Sequence, residues 1–383
     1  MIYFDNSSTT NQKPKEVIKA LLNGATTYSA NPGRSGHFLS LKTSQKIFET
    51  RQSLCEMLNA DKPEHIIFTQ NCTEALNLGI FGSLQKGGHI ICSCNDHNSL
   101  SRPIFELQRQ GLIEVSVVTP QNREMLTAKD IEKHIKPNTY LVAINHVSNV
   151  NGDCADIKSI GELCAKNCLL FLVDCAQSAG HIKIDMQKDH IDILALAPHK
   201  ALYGIQGVGV LAFGVRPNIK PIKFGGTGTS SLDLYQPQEY PESLESGTLS
   251  TPNIIALDSA VKFTRDNFDV INKKIDNLAT YILFELQNID GVNTYTHVNN
   301  VQFGVIAFNI LDIDSNEIAD ILSQNYNICV RGGLHCASLK HKNLNTVNQG
   351  ILRVSLSYYN TFTEAENFIK IIKKIVKKYK EKL

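Results

Sequence analysis

The sequence predicts an α/β protein: a large domain on a mostly parallel, seven-stranded sheet, followed by a smaller α+β domain. Short β-branched apolar runs alternate with amphipathic helical stretches up to about residue 255, and beyond that point the texture changes. At 383 residues the chain also exceeds what one ordinary core encloses.

The seven candidate strands are residues 66–68, 90–92, 115–118, 141–145, 169–174, 193–196 and 208–213. Their nearly continuous apolar character suits strands buried on both faces. Between them, 73–84 and 156–166 have helical periodicity; in the second, Ile157, Ile160, Leu163 and Cys164 share one face. Such alternation implies parallel pairing with helices on both sides, and ligands then sit beyond the carboxyl ends of the strands. Further on come helices over 254–268 and 270–287, a strand over 304–310, a loop over 329–350 and a lysine-rich terminal helix over 369–383. Ile372, Ile375, Val376 and Tyr379 form the apolar stripe of that last helix, and its lysines read as a solvated face. The domains are therefore placed at 13–254 and 255–383, joined by segment 1–12.

Composition excludes several classes. A hydrophobic fraction of 42%, a charged fraction of 20% and a formal net charge of +1 give no global preference for nucleic acid or membrane surfaces. The start, Met1 to Asn6, is not a secretory signal, and no apolar stretch approaches the roughly 18 residues of a membrane span. The ten cysteines are scattered, which predicts a reduced, cytoplasmic protein. Cys92/Cys94 and Cys164/Cys168 lack a second pair at zinc-site spacing, so no metal is expected.

Chemistry concentrates at two strand ends. The run Leu169 to Val173 delivers Asp174, and the run from Ile193 to Leu196 leads through Ala197 and Pro198 into His199-Lys200. A lysine and an acid so placed suit pyridoxal 5′-phosphate (PLP), which needs an amine for a Schiff base and a carboxylate facing its pyridinium nitrogen. Its phosphate needs donors at a helix start, and Gln70 to Asn77 supplies one with Thr73 as hydroxyl.

The motifs carry a resemblance that runs nearly end to end. They are Tyr3 to Thr10, Asn31 to Arg34, Asp96 to Ser99, His146 to Asn149, Val173 to Gln177, His199-Lys200, Glu245 to Thr248, Arg331 to Ala337 and Tyr359 to Thr361. In this order they resemble the cysteine desulfurase/selenocysteine lyase family of the class V aminotransferase superfamily, whose fold is PLP-dependent transferase fold type I. The resemblance implies that Lys200 carries the cofactor, Asp174 faces the pyridinium nitrogen and Gln177 the phenolic oxygen, while His97 stacks on the ring and assists proton transfer. Thr73 and His199 would hold the phosphate, and Thr248 would reach the phosphate of the neighbouring subunit in a homodimer. Asn149 and Arg353 would hold the carboxylate region of the substrate amino acid, and His37 would line the substrate entrance. Three positions depart from the family: Ala197-Pro198 replaces a hydroxyl residue and glycine, Cys72 replaces a small residue, and Ser338 replaces a proline.

Cys336 separates subfamilies. It lies in a glycine-containing segment among Arg331, His335, Lys340 and His341, and basic neighbours favour a thiolate nucleophile. The expected reaction removes sulfur from L-cysteine, giving L-alanine and a Cys336 persulfide that an acceptor, such as a dedicated sulfur-acceptor protein, collects. Selenocysteine lyase and class V aminotransferase activities are the alternatives within PLP chemistry. A non-catalytic, partner-binding relative is the alternative outside it, favoured by Ala197-Pro198.

Overall fold

All seven apolar runs become strands of one sheet. They are β1 (Ile66–Thr69), β2 (Gly88–Ser93), β3 (Ile113–Val118), β4 (Thr139–Asn145), β5 (Leu170–Asp174), β6 (Ile193–Leu196) and β7 (Gly209–Phe213). The computed structural model describes residues 1–33, 35–121, 125–229 and 231–381; Arg34 of the fourth-decade motif and the end of the predicted terminal helix lie outside them. The strand order is β1-β7-β6-β5-β4-β2-β3. Every pairing is parallel except those of β7, which runs antiparallel to both β1 and β6.

Alternate residues of the strands feed two cores. Val142, Ile144, Phe171, Val173, Leu194 and Leu196 face one side. Leu141, Ala143, Leu172, Ile193 and Ala195 face the other. The first side is covered by α1 (Lys15–Thr26), α2 (Phe38–Leu58), α5 (Ile157–Lys166) and α6 (Thr251–Asp266). The second is covered by α3 (Cys72–Gly82) and α4 (Asn98–Arg109). The chain entering α3 presses directly on β7: a Cβ at Gly209 would lie 2.2 Å from the carbonyl carbon of Asn71. Only glycine permits that approach, and it sets where α3 begins.

A second core follows. Strands β8 (Val292–Thr294), β9 (Val305–Ile310) and β10 (Leu352–Ser355) form an antiparallel sheet in sequence order. It packs with α7 (Phe268–Gln287), α8 (Ser315–Tyr326) and α10 (Phe362–Lys380) through Ile282, Phe308, Leu322, Phe368 and Ile372. Phe4 is buried in the same core, and Ile2–Tyr3 pairs in parallel with Ile328–Cys329. The helix expected from residue 254 onward, α6, packs on α1 and α2 and so lies against the large sheet.

The stretch 329–350, expected as loop, contains a helix, α9 (Ser338–Leu344). Its periodicity is hidden because the residues it buries are Lys340 and His341. Among the described residues no helix is long and apolar enough to cross a membrane, and no cluster of side chains has the makings of a metal site.

Candidate active site

The carboxyl ends of β5 and β6 bring the acid and the lysine together. Asp174 closes β5, in register with Asn145 of β4 and Ala195 of β6. Its Oδ1 accepts from the Ala176 N–H at 2.9 Å, and the Cys72 thiol lies 3.9 Å from the same oxygen. Burial raises the Asp174 carboxyl above its usual range, against the pull of Lys200. Burial lowers the Lys200 amine, against the pull of Asp174. Among the described residues neither an ion pair nor a hydrogen bond joins the two side chains, although each lies within electrostatic reach of the other.

The turn holding Lys200 is fixed from the N-terminal segment. Thr10 Oγ1 donates to the Lys200 carbonyl at 2.6 Å, while the Thr10 N–H and Lys13 Nζ both donate to the His199 carbonyl. The Lys200 N–H donates to the Ala197 carbonyl at 3.1 Å, closing a turn over Pro198 and His199, and the Gly204 N–H donates to the Pro198 carbonyl at 2.8 Å. His199 Nδ1 is buried with no partner, and burial followed by the charges of Lys200 and Lys13 pushes its pKa down to about 4.

Two helix starts face this turn. Thr73 lies in the first turn of α3, whose Asn71 cap accepts from the Glu74 N–H at 2.9 Å. His97 caps α4: its Nδ1 accepts from the Ser99 N–H at 3.0 Å and meets Ser99 Oγ at 2.8 Å. That acceptor role leaves the proton of the neutral ring on Nε2. Ser99 Oγ also bonds Thr73 Oγ1 at 2.9 Å, linking the two residues. Burial, then Lys200, Arg331 and Arg353, push His97 down to about 3.

The second core contributes the remainder. Arg353 on β10 is 1% exposed; one terminal nitrogen donates to the Asn149 carbonyl at 2.8 Å, and the other to Asp5 Oδ1 at 2.7 Å and Ser8 Oγ at 3.0 Å. Its Nε is buried without a partner, as is Asn149 Oδ1. Asn149 Nδ2 donates to the His335 carbonyl at 2.7 Å. Arg331 donates to Ser8 Oγ at 3.3 Å and to Cys336 Sγ at 3.7 Å. Asp5, Ser8 and Ser99 thus belong to the site, although sequence reasoning assigns them no role; for Asp5 and Ser8, an acid and a hydroxyl in a segment with no helix to cap are the available signal.

Cys336 is exposed at the mouth of a 670 Å³ cleft that Thr73, His97, Ser99, Arg102 and Phe105 also line. Its φ of 56° follows a φ of 48° at His335, two successive left-handed residues without glycine. The Asn98 N–H donates to the Cys336 carbonyl at 2.7 Å, docking the segment on the start of α4. Of the basic residues expected near the sulfur, Arg331 reaches it. Lys340 and His341 do not: α9 turns both inward, Lys340 onto Asp153 and Asn95, His341 onto Thr346. Ser338 is the first residue of α9, a position where proline is equally at home.

Gln177 is buried, with Nε2 donating to the Ser7 carbonyl at 3.1 Å. The single chain does not bring His37 or Thr248 to the cleft. His37 is exposed at the cap of α2, and Thr248 is exposed in a separate cleft with Gln70, Lys223 and Ser246.

These residues fit PLP. An amine and an acid lie within electrostatic reach without bonding each other, linked hydroxyls stand at two helix starts, and His199 Nδ1, Asn149 Oδ1 and Arg353 Nε are buried polar atoms without partners.

The histidines also set a pH dependence. Eight described imidazoles are lowered by burial, including His97 to about 3, His146 to about 4 and His199 to about 4. Unfolded, each would bind a proton below 6.5, so their stabilisation is complete above that pH and is lost as pH falls toward the folded values. Four raised carboxyls, Asp96 (to about 8), Asp174, Asp189 and Asp192, oppose this, because their contribution fades as pH rises. Eight against four gives a melting temperature expected to rise from pH 4.5 to 6.5; a flat or falling profile in thermal scans would contradict the neutral-imidazole assignment.

A family model, aminotransferase class-V, matches residues 2–368. A probable cysteine desulfurase of Methanothermobacter thermautotrophicus is 32% identical over 375 residues, covering 95% of this chain and 92% of the relative. A probable cysteine desulfurase of Borreliella burgdorferi is 31% identical, covering 98% and 92%. The apo structure of a cysteine desulfurase from Thermococcus onnurineus superimposes with a TM-score of 0.90 at 31% identity, covering 98% of this chain and 94% of that one. The mostly parallel seven-stranded sheet is thus the fold type I arrangement that the sequence predicts. With nearly its whole length matched, the chain belongs to the class-V aminotransferase family.

Proposed function

We propose that the chain is a PLP-dependent cysteine desulfurase that converts L-cysteine to L-alanine and leaves the sulfur as a persulfide on Cys336. One observation carries the reading: an exposed cysteine, contacted by Arg331, shares a cleft with His97, a buried imidazole that feels the charge of Lys200. The relatives' names support it.

When bound, PLP supplies an aldehyde for Lys200 and an electron sink for the reacting substrate. The chain does the rest. Asp174, with the Ala176 N–H and Cys72 about it, would hold the ring nitrogen; Thr73, linked to Ser99, and His199 would hold the phosphate; Gln177 would face the phenolic oxygen. Arg353 binds the substrate carboxylate through the Nε–H that lacks a partner, and Asn149 Oδ1, also unpartnered, accepts from an N–H of the substrate beside it. Lys200 Nζ takes the substrate Cα proton, and His97 holds a proton at Nε2 for the carbon that loses sulfur. Cys336 Sγ attacks the substrate sulfur: an S–S bond forms, the C–S bond breaks, and one cysteine yields one alanine and one persulfide.

On this reading 13–254 carries Lys200, Asp174 and His97, and 255–383 carries Cys336 and Arg353. Thr248 and His37 act across a homodimer in which the partner covers exposed apolar residues such as Phe38, Phe224 and Leu234. The setting is the cytoplasm, and a thiol or an acceptor protein collects the sulfur. Incubation with L-cysteine is expected to give about one alanine per site without added thiol and continuous turnover with dithiothreitol. Turnover of L-selenocysteine alone would instead make the protein a selenocysteine lyase, and no alanine from either would defeat the proposal.

A further inference from the structure

The sequence around Cys336 places a lysine four residues downstream, and the structure buries it. Lys340 is 2% exposed, Asp153 4% and Asn95 3%. The Lys340 ammonium pairs with Asp153 Oδ2 and donates to Asn95 Oδ1 at 2.8 Å. Each partner belongs to a different piece of the site. Asn95 precedes His97 by two residues and anchors Asn145 through its carbonyl at 2.8 Å. Asp153 closes the turn that carries Asn149, its carbonyl accepting from the Ser148 N–H at 2.8 Å. Lys340 itself lies in α9, directly after Cys336.

Burying an ion pair is seldom the most stabilising choice for a core: apolar residues of similar volume commonly serve as well or better. What this pair adds is definition, because three separately folded segments meet on one charge. We infer that Lys340 is a positioning residue that fixes the Cys336 segment against the segments bearing His97 and Asn149, so that the sulfur sits in register with the substrate. The inference rests on the reading of Cys336 as sulfur acceptor.

The test uses holoenzyme of two variants: the double replacement Lys340→Met with Asp153→Leu, which removes both charges together, and Asn95→Ala, which removes only the tie to the His97 segment. Per bound PLP, kcat for alanine formation is expected to fall by ~10–100-fold in the first and by a smaller factor in the second, with KM for L-cysteine and the visible cofactor band little changed. A purely stabilising role would lower melting temperature and cofactor content while leaving kcat per bound PLP intact, and that result overturns the inference. Should the double variant fail to fold, Asn95→Ala decides alone, and wild-type kcat there is also an overturning result. Alkylation of Cys336 by iodoacetamide, read by peptide mass, needs no substrate; its rate is expected to change by at least ~3-fold in either folded variant. If wild-type protein forms no Cys336 persulfide, the functional reading fails, and the alkylation rate still decides the positioning role: an unchanged rate sinks it.

Discussion

Lys200→Ala purified with PLP is expected to lack the visible band of a lysine-bound cofactor and to form alanine at least ~10³-fold more slowly than wild type. Lys200 holds the cofactor aldehyde and takes the Cα proton, and no neighbouring amine substitutes for it: Lys13, the other lysine at this turn, is committed to the His199 carbonyl. The turn itself should survive, because Thr10 grips the backbone carbonyls of His199 and Lys200 rather than the lysine side chain. Absorbance and alanine assays on folded variant check this, with circular dichroism to establish folding. A variant that keeps the wild-type band would show that another amine carries the cofactor.

The second large effect falls on Cys336→Ser. The serine retains the size of the side chain and the backbone contact from Asn98, so the cofactor band should persist. Alanine formation from L-cysteine is expected to drop by more than ~10³-fold, and no mass gain of one sulfur should appear on the segment. The choice of substrate makes the variant diagnostic. Normal release of sulfide from L-cysteine would remove Cys336 from the chemistry, and a transaminase would be indifferent to the change.

The fold was legible because its signals are local. Each of the seven central strands is an apolar run, and the two helical faces repeat at helical spacing. The antiparallel course of β7 was not legible, because an apolar run reads the same in either direction. Segment 329–350 reads as loop for a different reason: α9 buries a charge and an imidazole, and hydrophobic periodicity does not register a lysine whose partner lies far away at Asp153. Lys200, Asp174 and His97 could be named because strand ends and motifs mark them. Asp5 and Ser8 could not, since their roles are conferred by Arg353 and Arg331, which arrive from the other end of the chain.

The backbone bonds that hold the Cys336 segment bear on how cargo leaves the protein. The Asn98 N–H fastens one carbonyl of the segment and the Asn149 amide fastens the one before it. With the backbone held at both of these points, the segment does not carry its sulfur outward as a swinging arm. Its recipient must therefore come to the mouth of the cleft where Cys336 is exposed, which suits small thiols and proteins that present their own cysteine at an accessible position.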